Sequence, residues 1–238
     1  MKKTLSFAWA LPAMTLFASC KKITGEGPVI TELRHPSNFT GIRSSVVQDV
    51  SVIIDTVSFI EIKAQQNILD VIETFNSGGD LVVKLKSGHF VGRDQDVRIA
   101  IHTGSIKYLE QDGAGHLGVF GTAAGDHLKC SINGSGSIGL EKVSIQNTLI
   151  GEINGSGDII IEGGNVLQAN FESNGSGDIS SSGLYADNVH TAINGSGSMR
   201  IRAVRYLYAN ISGSGNVYYK GTPMISTSIS GPGRVRPF

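Results

Sequence analysis

The chain has 238 residues, with 20 basic and 20 acidic side chains, and its 31 glycines greatly exceed ordinary usage. Its apolar fraction is normal for a chain that buries a core, which excludes a disordered protein and indicates that the glycines mark tight turns. The balanced charge, together with the export signal at the N-terminus, argues against nucleic-acid binding.

Residues 1–19 are typical of a secretory signal peptide. Met1-Lys2-Lys3 precedes an apolar run, Leu5 to Phe17, that is too short for a permanent membrane span. The run ends in Ala18-Ser19-Cys20, which resembles a bacterial lipobox. We therefore expect an exported protein, lipid-anchored at Cys20 in the cell envelope, at the outer membrane, with the lipid as its only membrane anchor. Ordinary secretion is the alternative.

The next segments lack a regular period. Residues 20–33 contain few large apolar groups and are predicted to be the lipidated N-terminus and a tether. Residues 34–110 are predicted to form an N-terminal β region, in which Asn67 to Phe75 has helical spacing and indicates one short helix or helical turn. Alternating segments predict its strands near Ile42 to Ile54, Phe59 to Ala64, Leu81 to Leu85 and Val97 to Ile101.

A repeat occupies residues 111–238. An Asn-Gly-Ser-Gly turn or a drifted copy of it recurs from Asp112 onward, at offsets of 21, 21, 20, 20, 18 and 18 residues. A sustained period near 20 is typical of a solenoid, whose coils bury their apolar faces only by stacking. The turn residues are Asn133, Gly134, Gly136, Asn154, Gly155, Gly157, Asn174, Gly175, Gly177, Asn194, Gly195 and Gly197.

Residues at equivalent repeat positions are apolar. Leu117, Ile138, Ile159, Ile179, Met199, Val217 and Val235 form one inward ladder. A second comprises Ile132, Ile153, Ser173, Ile193, Ile211 and Ile229, and a third Leu128, Leu149, Ala169, Val189, Leu207 and Ile225. These ladders predict an all-β, right-handed parallel β-helix (β-solenoid) with coils of about 18–21 residues, in which the turn asparagines hydrogen-bond from coil to coil. A phosphate-binding loop is disfavoured because strand-like alternation follows each turn, and a glycosylation sequon needs eukaryotic secretion.

The order of short motifs resembles the auto-transporter adhesin head domain, or GIN domain, family over residues 34–238. The motifs are Phe39-Thr40-Gly41-Ile42, Val50-Ser51-Val52, Ile60-Glu61-Ile62, Asn67-Ile68-Leu69 and Asp80-Leu81-Val82-Val83, followed by the turn repeats. Gly104-Ser105-Ile106 departs from the Pro-Ser-Leu expected there. The resemblance implies a β-helical fold more strongly than a particular function.

An enzyme acting on polysaccharides is the rival interpretation. Glu152 and Glu172 share one repeat position, and Asp158 and Asp178 share another, so each pair lies about one strand spacing apart, near the carboxylate separation of retaining glycosidases. Their repetitive, outward positions favour a solvated acidic face, and the chain is predicted not to be an enzyme. Cys130 is predicted to be a small buried residue. No metal or cofactor is predicted, since His116 and His127 are near in sequence but lack metal-type spacing.

A basic, aromatic patch near the C-terminus is the candidate binding site. Residues 199–238 contain six basic side chains and no acid. The candidate patch comprises Arg200, Arg202, Tyr206, Tyr208, Tyr218, Tyr219, Arg234 and Arg236, with Arg200, Tyr218 and Arg236 in one outward column. Such a patch suits an anionic glycan, lipopolysaccharide, or an envelope or host protein. The alternative is a solvated cap that blocks edge-to-edge pairing.

Together these features predict a non-catalytic envelope lipoprotein that acts in adhesion or binding. A purely structural role is also open.

Overall fold

The computed structural model describes residues 21–238. The N-terminal part contains β1 (Lys21–Ile23), β2 (Val29–Arg34), β3 (Gly41–Ser44), β4 (Val50–Ile54), β5 (Phe59–Gln65), α1 (Gln66–Leu69), β6 (Ile72–Ser77), β7 (Asp80–Leu85), β8 (His89–Val91) and β9 (Arg98–Thr103). The repeat contains β10 (Tyr108–Gly113), β11 (His116–Gly134), β12 (Ser137–Gly155), β13 (Asp158–Ile161), β14 (Gly164–Gly175), β15 (Ile179–Gly195), β16 (Met199–Gly213), β17 (Asn216–Lys220), β18 (Met224–Ser230) and β19 (Arg234–Pro237).

The repeat is a three-sided solenoid of about six turns with parallel pairing throughout, which confirms the predicted β-helix. Register shifts mark corners, and the Asn-Gly-Ser-Gly turns form another corner. Face A comprises residues 127–134, 148–155, 168–175, 188–195, 206–213 and 224–230. Face B comprises residues 116–120, 137–141, 158–162, 178–182, 198–202, 216–220 and 234–238, and face C comprises residues 122–125, 142–145, 164–166, 184–186 and 203–205.

Stacked apolar ladders fill the interior. Ile153 and Ile193 are fully buried, and so is Ser173 between them, whose hydroxyl donates to the carbonyl of Gly177 at 2.8 Å. The ladders end at the last coil, where Ile225 and Ile229 are 43% and 42% exposed because no described coil stacks on them. The core is therefore made by stacking, one coil covering the next.

The turns carry the predicted asparagine ladder. Asn154 donates to Asn133, Asn174 to Asn154, and Asn194 to Asn174, at 3.1, 3.1 and 2.8 Å. The glycine after each of these asparagines has φ between +139° and +148°, a region that other residues rarely adopt.

The N-terminal strands continue the same stack. β3 lies between β7 and β10, and β4 lies between β9 and β11, all in parallel. Arg43 on β3 forms ion pairs with both neighbouring strands, since its Nε lies 2.8 Å from Asp80 on β7 and 3.4 Å from Glu110 on β10. Faces A and B therefore extend into the N-terminal region.

The two outermost N-terminal segments differ from expectation. Residues 21–33, predicted as a tether, contain β1, which pairs with β8, and most of β2, which pairs with β5 in antiparallel fashion. Ile23 supplies the reason in β1, because it is only 9% exposed and joins the core. The predicted short helix or helical turn is confirmed as the single turn α1, but its predicted extent to Phe75 is wrong, since Ile72 and Phe75 lie in β6, antiparallel to β7. Cys20 lies outside the described residues.

Candidate functional site

A shallow groove of about 550 Å³ runs along the solenoid axis on face A. Two outward columns of side chains form its walls, and the strand backbones between them form its floor. One wall contains Ile150, Asn170, His190, Tyr208 and Ser226, and the other contains Glu152, Glu172, Ala192, Asn210 and Ser228. The parallel register aligns these residues, so the groove crosses five successive coils.

Aromatic rings lie toward one end of the groove, on its third and fourth coils. Tyr208 and His190 are paired across neighbouring strands, and their rings stack with centroids 4.6 Å apart. Tyr206 extends this group beside the wall, with its ring 6.3 Å from that of Tyr208. Because Tyr206 and Tyr208 are 36% and 44% exposed, they present accessible ring faces to a ligand.

Polar groups occupy the other end. The Gln168 amide donates to Asn170 at 3.0 Å, and the Asn174 amide donates to Glu172 at 2.9 Å. Glu152 forms an ion pair of 2.8 Å with Lys129, where both side chains are more than 30% exposed. Amide and carboxylate groups with remaining hydrogen-bonding capacity thus follow the aromatic rings along one line.

The basic residues of the predicted patch lie on face B. Arg200, Tyr218 and Arg236 form one outward column, as predicted. The guanidinium of Arg200 lies 5.4 Å from the Tyr218 ring centroid. That of Arg202 lies 4.4 Å from the Tyr185 ring centroid, and its Nε donates to the Ser182 carbonyl at 3.0 Å. Cation-π contacts therefore order both arginines.

The structure divides the predicted patch between two faces. Tyr206 and Tyr208 belong to face A because the chain turns two corners after Arg202, through face C. Tyr219 is partly buried, because alternation points it inward, where it packs against the core. The two arginines of the last coil, Arg234 and Arg236, are exposed on face B.

The acidic columns have local partners. Asp158 accepts a hydrogen bond from the backbone N–H of Asp178 at 3.0 Å, and Asp178 accepts one from the N–H of Ser198 at 2.7 Å. Each carboxylate therefore joins its coil to the next. The pair lies on face B, whereas Glu152 and Glu172 are neighbours on face A and line the groove.

The predicted thiol and histidines form no shared site. Cys130 is 1% exposed, and burial raises the pKa of its thiol to about 12. His116 contacts the Ser137 hydroxyl at 2.7 Å on face B, whereas His127 lies 2.6 Å from Asp126 near face A. Within residues 21–238, no group of three or more His, Cys, Asp or Glu side chains is placed to hold a metal ion.

A recess on the acidic part of face B was missed from the sequence. It has a volume of about 430 Å³ and lies above Gly118 and Gly139, which provide no side chain in the outward column. The His116 and Phe120 rings lie beside these glycines, and Glu141, Ile160 and Glu162 complete the rim. Aligning the repeat columns would have identified this gap, because Gly118 and Gly139 occupy the same column as Arg200.

The chain matches a known protein family. The profile described as "Putative auto-transporter adhesin, head GIN domain" matches residues 38–223. No curated protein matches the sequence at a significant level. Within the part of the chain that the structure covers, no helix is long and apolar enough to cross a membrane.

Solved structures share the fold. A "putative adhesin" from Bacteroides fragilis has a TM-score of 0.84 and 23% identity, covering 91% of this chain and all of its own. A "putative lipid binding protein" from Parabacteroides distasonis has a TM-score of 0.73 and 24% identity, covering 92% of this chain and all of its own. A "putative adhesin" from Parabacteroides merdae has a TM-score of 0.70 and 23% identity, covering 92% of this chain and 99% of its own. At these identities the likeness establishes the fold alone.

Proposed function

This chain belongs to the GIN-domain family of auto-transporter adhesin head domains, and we propose that it is a non-catalytic binding module of the cell envelope that holds a glycan in the groove on face A. The observation that carries the proposal is the groove itself. It combines the exposed ring of Tyr208, with Tyr206 beside it, with amide and carboxylate groups along one line.

The groove has the chemistry and the shape for a linear saccharide. Tyrosine rings stack on the apolar C–H face of a sugar, while amides and carboxylates bond to its hydroxyls. The walls repeat at the strand spacing of about 4.8 Å, so five coils span about 19 Å. This length suits an extended chain of several sugar units. The short side chain of Ala192 keeps the middle of the groove open.

Export and anchoring belong to the same proposal. We place the protein in the envelope, held by a lipid on Cys20, since the N-terminal 20 residues have the pattern of a lipoprotein signal. Lys21 already pairs with His89 in the N-terminal region. The anchor would therefore hold that end of the solenoid near the membrane. A structural relative described as lipid-binding makes glycolipid headgroups, including lipopolysaccharide, ligands to include in the test.

The rival function is glycan cleavage by Glu152 and Glu172. The two are cross-strand neighbours in the groove, at a spacing that would suit a retaining glycosidase. Such an enzyme needs its two carboxyl groups in contrasting surroundings. Here both accept hydrogen bonds, from Lys129 and Asn174, and neither has the apolar surroundings of a general acid. Because Glu152 and Glu172 have similar polar surroundings, the pair favours binding over turnover.

The test is binding of the full-length chain carrying Cys20→Ser to an array of neutral and anionic bacterial and host glycans, with hydrolysis products assayed in the same wells. We expect binding without turnover, weakened about tenfold or more by Tyr208→Ala, because each stacked ring contributes about 1–2 kcal/mol. Tyr185→Ala is the matched control, since Tyr185 is an exposed tyrosine outside the groove. Equal binding by the Tyr208 variant would refute the groove, and cleavage abolished by Glu172→Gln would establish the enzyme.

A further inference from the structure

The charge on face B reverses sign along the solenoid axis. The coils up to Ser180 carry the acidic half of face B, which comprises Glu141, Asp158, Glu162 and Asp178. The coils after Ser180 carry the basic half of face B, which comprises Arg200, Arg202, Lys220, Arg234 and Arg236. Such an arrangement makes the face complementary to an inverted copy of itself.

We propose that face B is a self-association surface, on which two copies of this chain pack face to face with their solenoid axes antiparallel. The twofold axis runs parallel to the strands and passes over Ser180. Rotation about this axis inverts the order of the coils but keeps each outward column opposite itself. Residues of the central coil therefore face their own copies, and the like-charge contact between the two Asp178 side chains, each held by the Ser198 N–H, must be offset by opposite-charge pairs on either side. An axis parallel to the solenoid would instead place each acidic half opposite its like, which electrostatic repulsion disfavours.

The registered columns then bring specific partners together. In the column of Phe120, Glu141, Glu162, Ser182, Arg202 and Lys220, Arg202 of one copy meets Glu162 of the other, and Lys220 meets Glu141. Each pair occurs twice by symmetry, so the dimer contains four salt bridges between copies.

The middle column adds a match of shape. Rotation places Tyr218 opposite Gly139, and Arg236 opposite Gly118. The glycines form the floor of the 430 Å³ recess, so a protruding side chain meets a depression in the other copy. Arg200 is opposite Ile160, whose side chain is 44% exposed and is covered in the dimer.

The area is sufficient for a stable dimer. Seven strands at about 4.8 Å spacing give a face about 29 Å long, and five residues plus flanking side chains give a width of about 20 Å. The surface is thus about 600 Å² per copy, or about 1,200 Å² in total, at the lower end of the range of specific interfaces. Face A is not involved, so this proposal does not depend on glycan binding.

A charge-swap experiment tests the pairing. The full-length chain with Cys20→Ser is examined by sedimentation velocity, alone and as Arg202→Glu, Glu162→Arg and the double variant. We expect a dimer, at least about tenfold weaker in each single variant because like charges then oppose each other, and restored in the double variant. Far-ultraviolet circular dichroism controls for folding. A monomer at all concentrations, or a dimer indifferent to both reversals, would overturn the proposal.

A polyanion is the competing occupant of the basic half. Heparin binding to a monomeric wild-type chain, lost in Arg202→Glu and not restored by adding Glu162→Arg, would overturn self-association in favour of that ligand.

A cysteine on the symmetry axis gives an independent measurement. Ser180 lies opposite itself in the dimer, so Ser180→Cys in the Cys20→Ser chain should form an intermolecular disulfide under mild oxidation. The matched control is Ser144→Cys, since both serines are half-buried, outward residues and Ser144 lies on face C. Cys130 is buried and its thiol has a raised pKa, so it does not compete. Equal cross-linking of both variants, or none at Ser180→Cys, would contradict the twofold geometry.

Discussion

The two ends of the described solenoid differ in how its interior is covered. At the N-terminal end, β2 and β6 run antiparallel to their neighbours, and Arg34 on β2 donates to the carbonyls of Leu69 and Ile72 at 3.2 and 2.8 Å. At the other end, all seven residues of β18 are exposed, including Ile225 and Ile229. Residues in the same repeat column therefore contribute differently to stability, according to whether another coil covers them.

The repeat and the N-terminal region also use glycine differently, and this difference gives the largest expected effect. Gly175 has φ of +148°, and a Cβ there would overlap the Gly155 carbonyl oxygen of the preceding coil. We expect Gly175→Ala to lower the free energy of unfolding by about 4 kcal/mol, through strain and overpacking together. Urea denaturation followed by circular dichroism measures this value.

The matched control is Gly78→Ala in the turn between β6 and β7. Gly78 also has a positive φ, +62°, but nothing lies within 4 Å of a Cβ placed there. Only conformational strain remains, which costs about 1–2 kcal/mol. Equal effects of the two variants would show that close stacking of the turns does not limit stability.

Covered and uncovered positions of one core ladder give the next effect. Ile193 is fully buried, whereas Ile229, in the same column, is 42% exposed. We expect Ile193→Ala to cost about 3 kcal/mol, because it leaves a cavity, and Ile229→Ala to cost about 1 kcal/mol. Thermal and urea unfolding compare the two. A similar loss in both would mean that the last coil is covered in solution.

The same ladders explain how far the sequence predicts the fold. In the repeat, one period repeated several times determines which side chains point inward, so the columns and the asparagine ladder followed from spacing alone. In the N-terminal region each strand segment occurs only once, and the strand that it pairs with can be distant in the sequence. Ile72 and Phe75 had helical spacing but form a strand, because β7 provides an antiparallel partner. Local pattern cannot reveal such pairing.

The candidate site was predicted only in part for a related reason. Column alignment placed Arg200, Tyr218 and Arg236 together, but nearness in sequence wrongly added Tyr206 and Tyr208, which lie beyond two corners. The residues of both groove walls can be read from the aligned columns. That the two columns form one groove became clear only from the structure, which shows that they are adjacent on one flat face. Likewise, the sequence does not show that the short side chain of Ala192 keeps the groove open between larger wall residues.

The antiparallel strands that cover the N-terminal end of the solenoid, with Arg34 on β2, give a smaller effect. The Arg34 side chain is 20% exposed, and its removal leaves the carbonyls of Leu69 and Ile72 without this donor. We expect Arg34→Ala to cost about 2 kcal/mol by urea denaturation. Arg34→Lys should restore less than half of the loss, since an ammonium group cannot span both carbonyls as the guanidinium does. Arg205→Ala, whose side chain is 69% exposed, is the control and should change stability by no more than about 0.5 kcal/mol.

The smallest effect concerns the exposed asparagine ladder, which belongs to the repeat alone. Asn174 donates to Asn154 and Glu172 and accepts from Asn194, so Asn174→Ala removes three hydrogen bonds that water can partly replace. We expect a loss of about 1 kcal/mol in urea denaturation. Asn165→Ala, at an exposed position on face C, should have less effect. If both substitutions are neutral, the glycine turns and the buried ladders hold the coils in register, and the asparagines add no measurable stability.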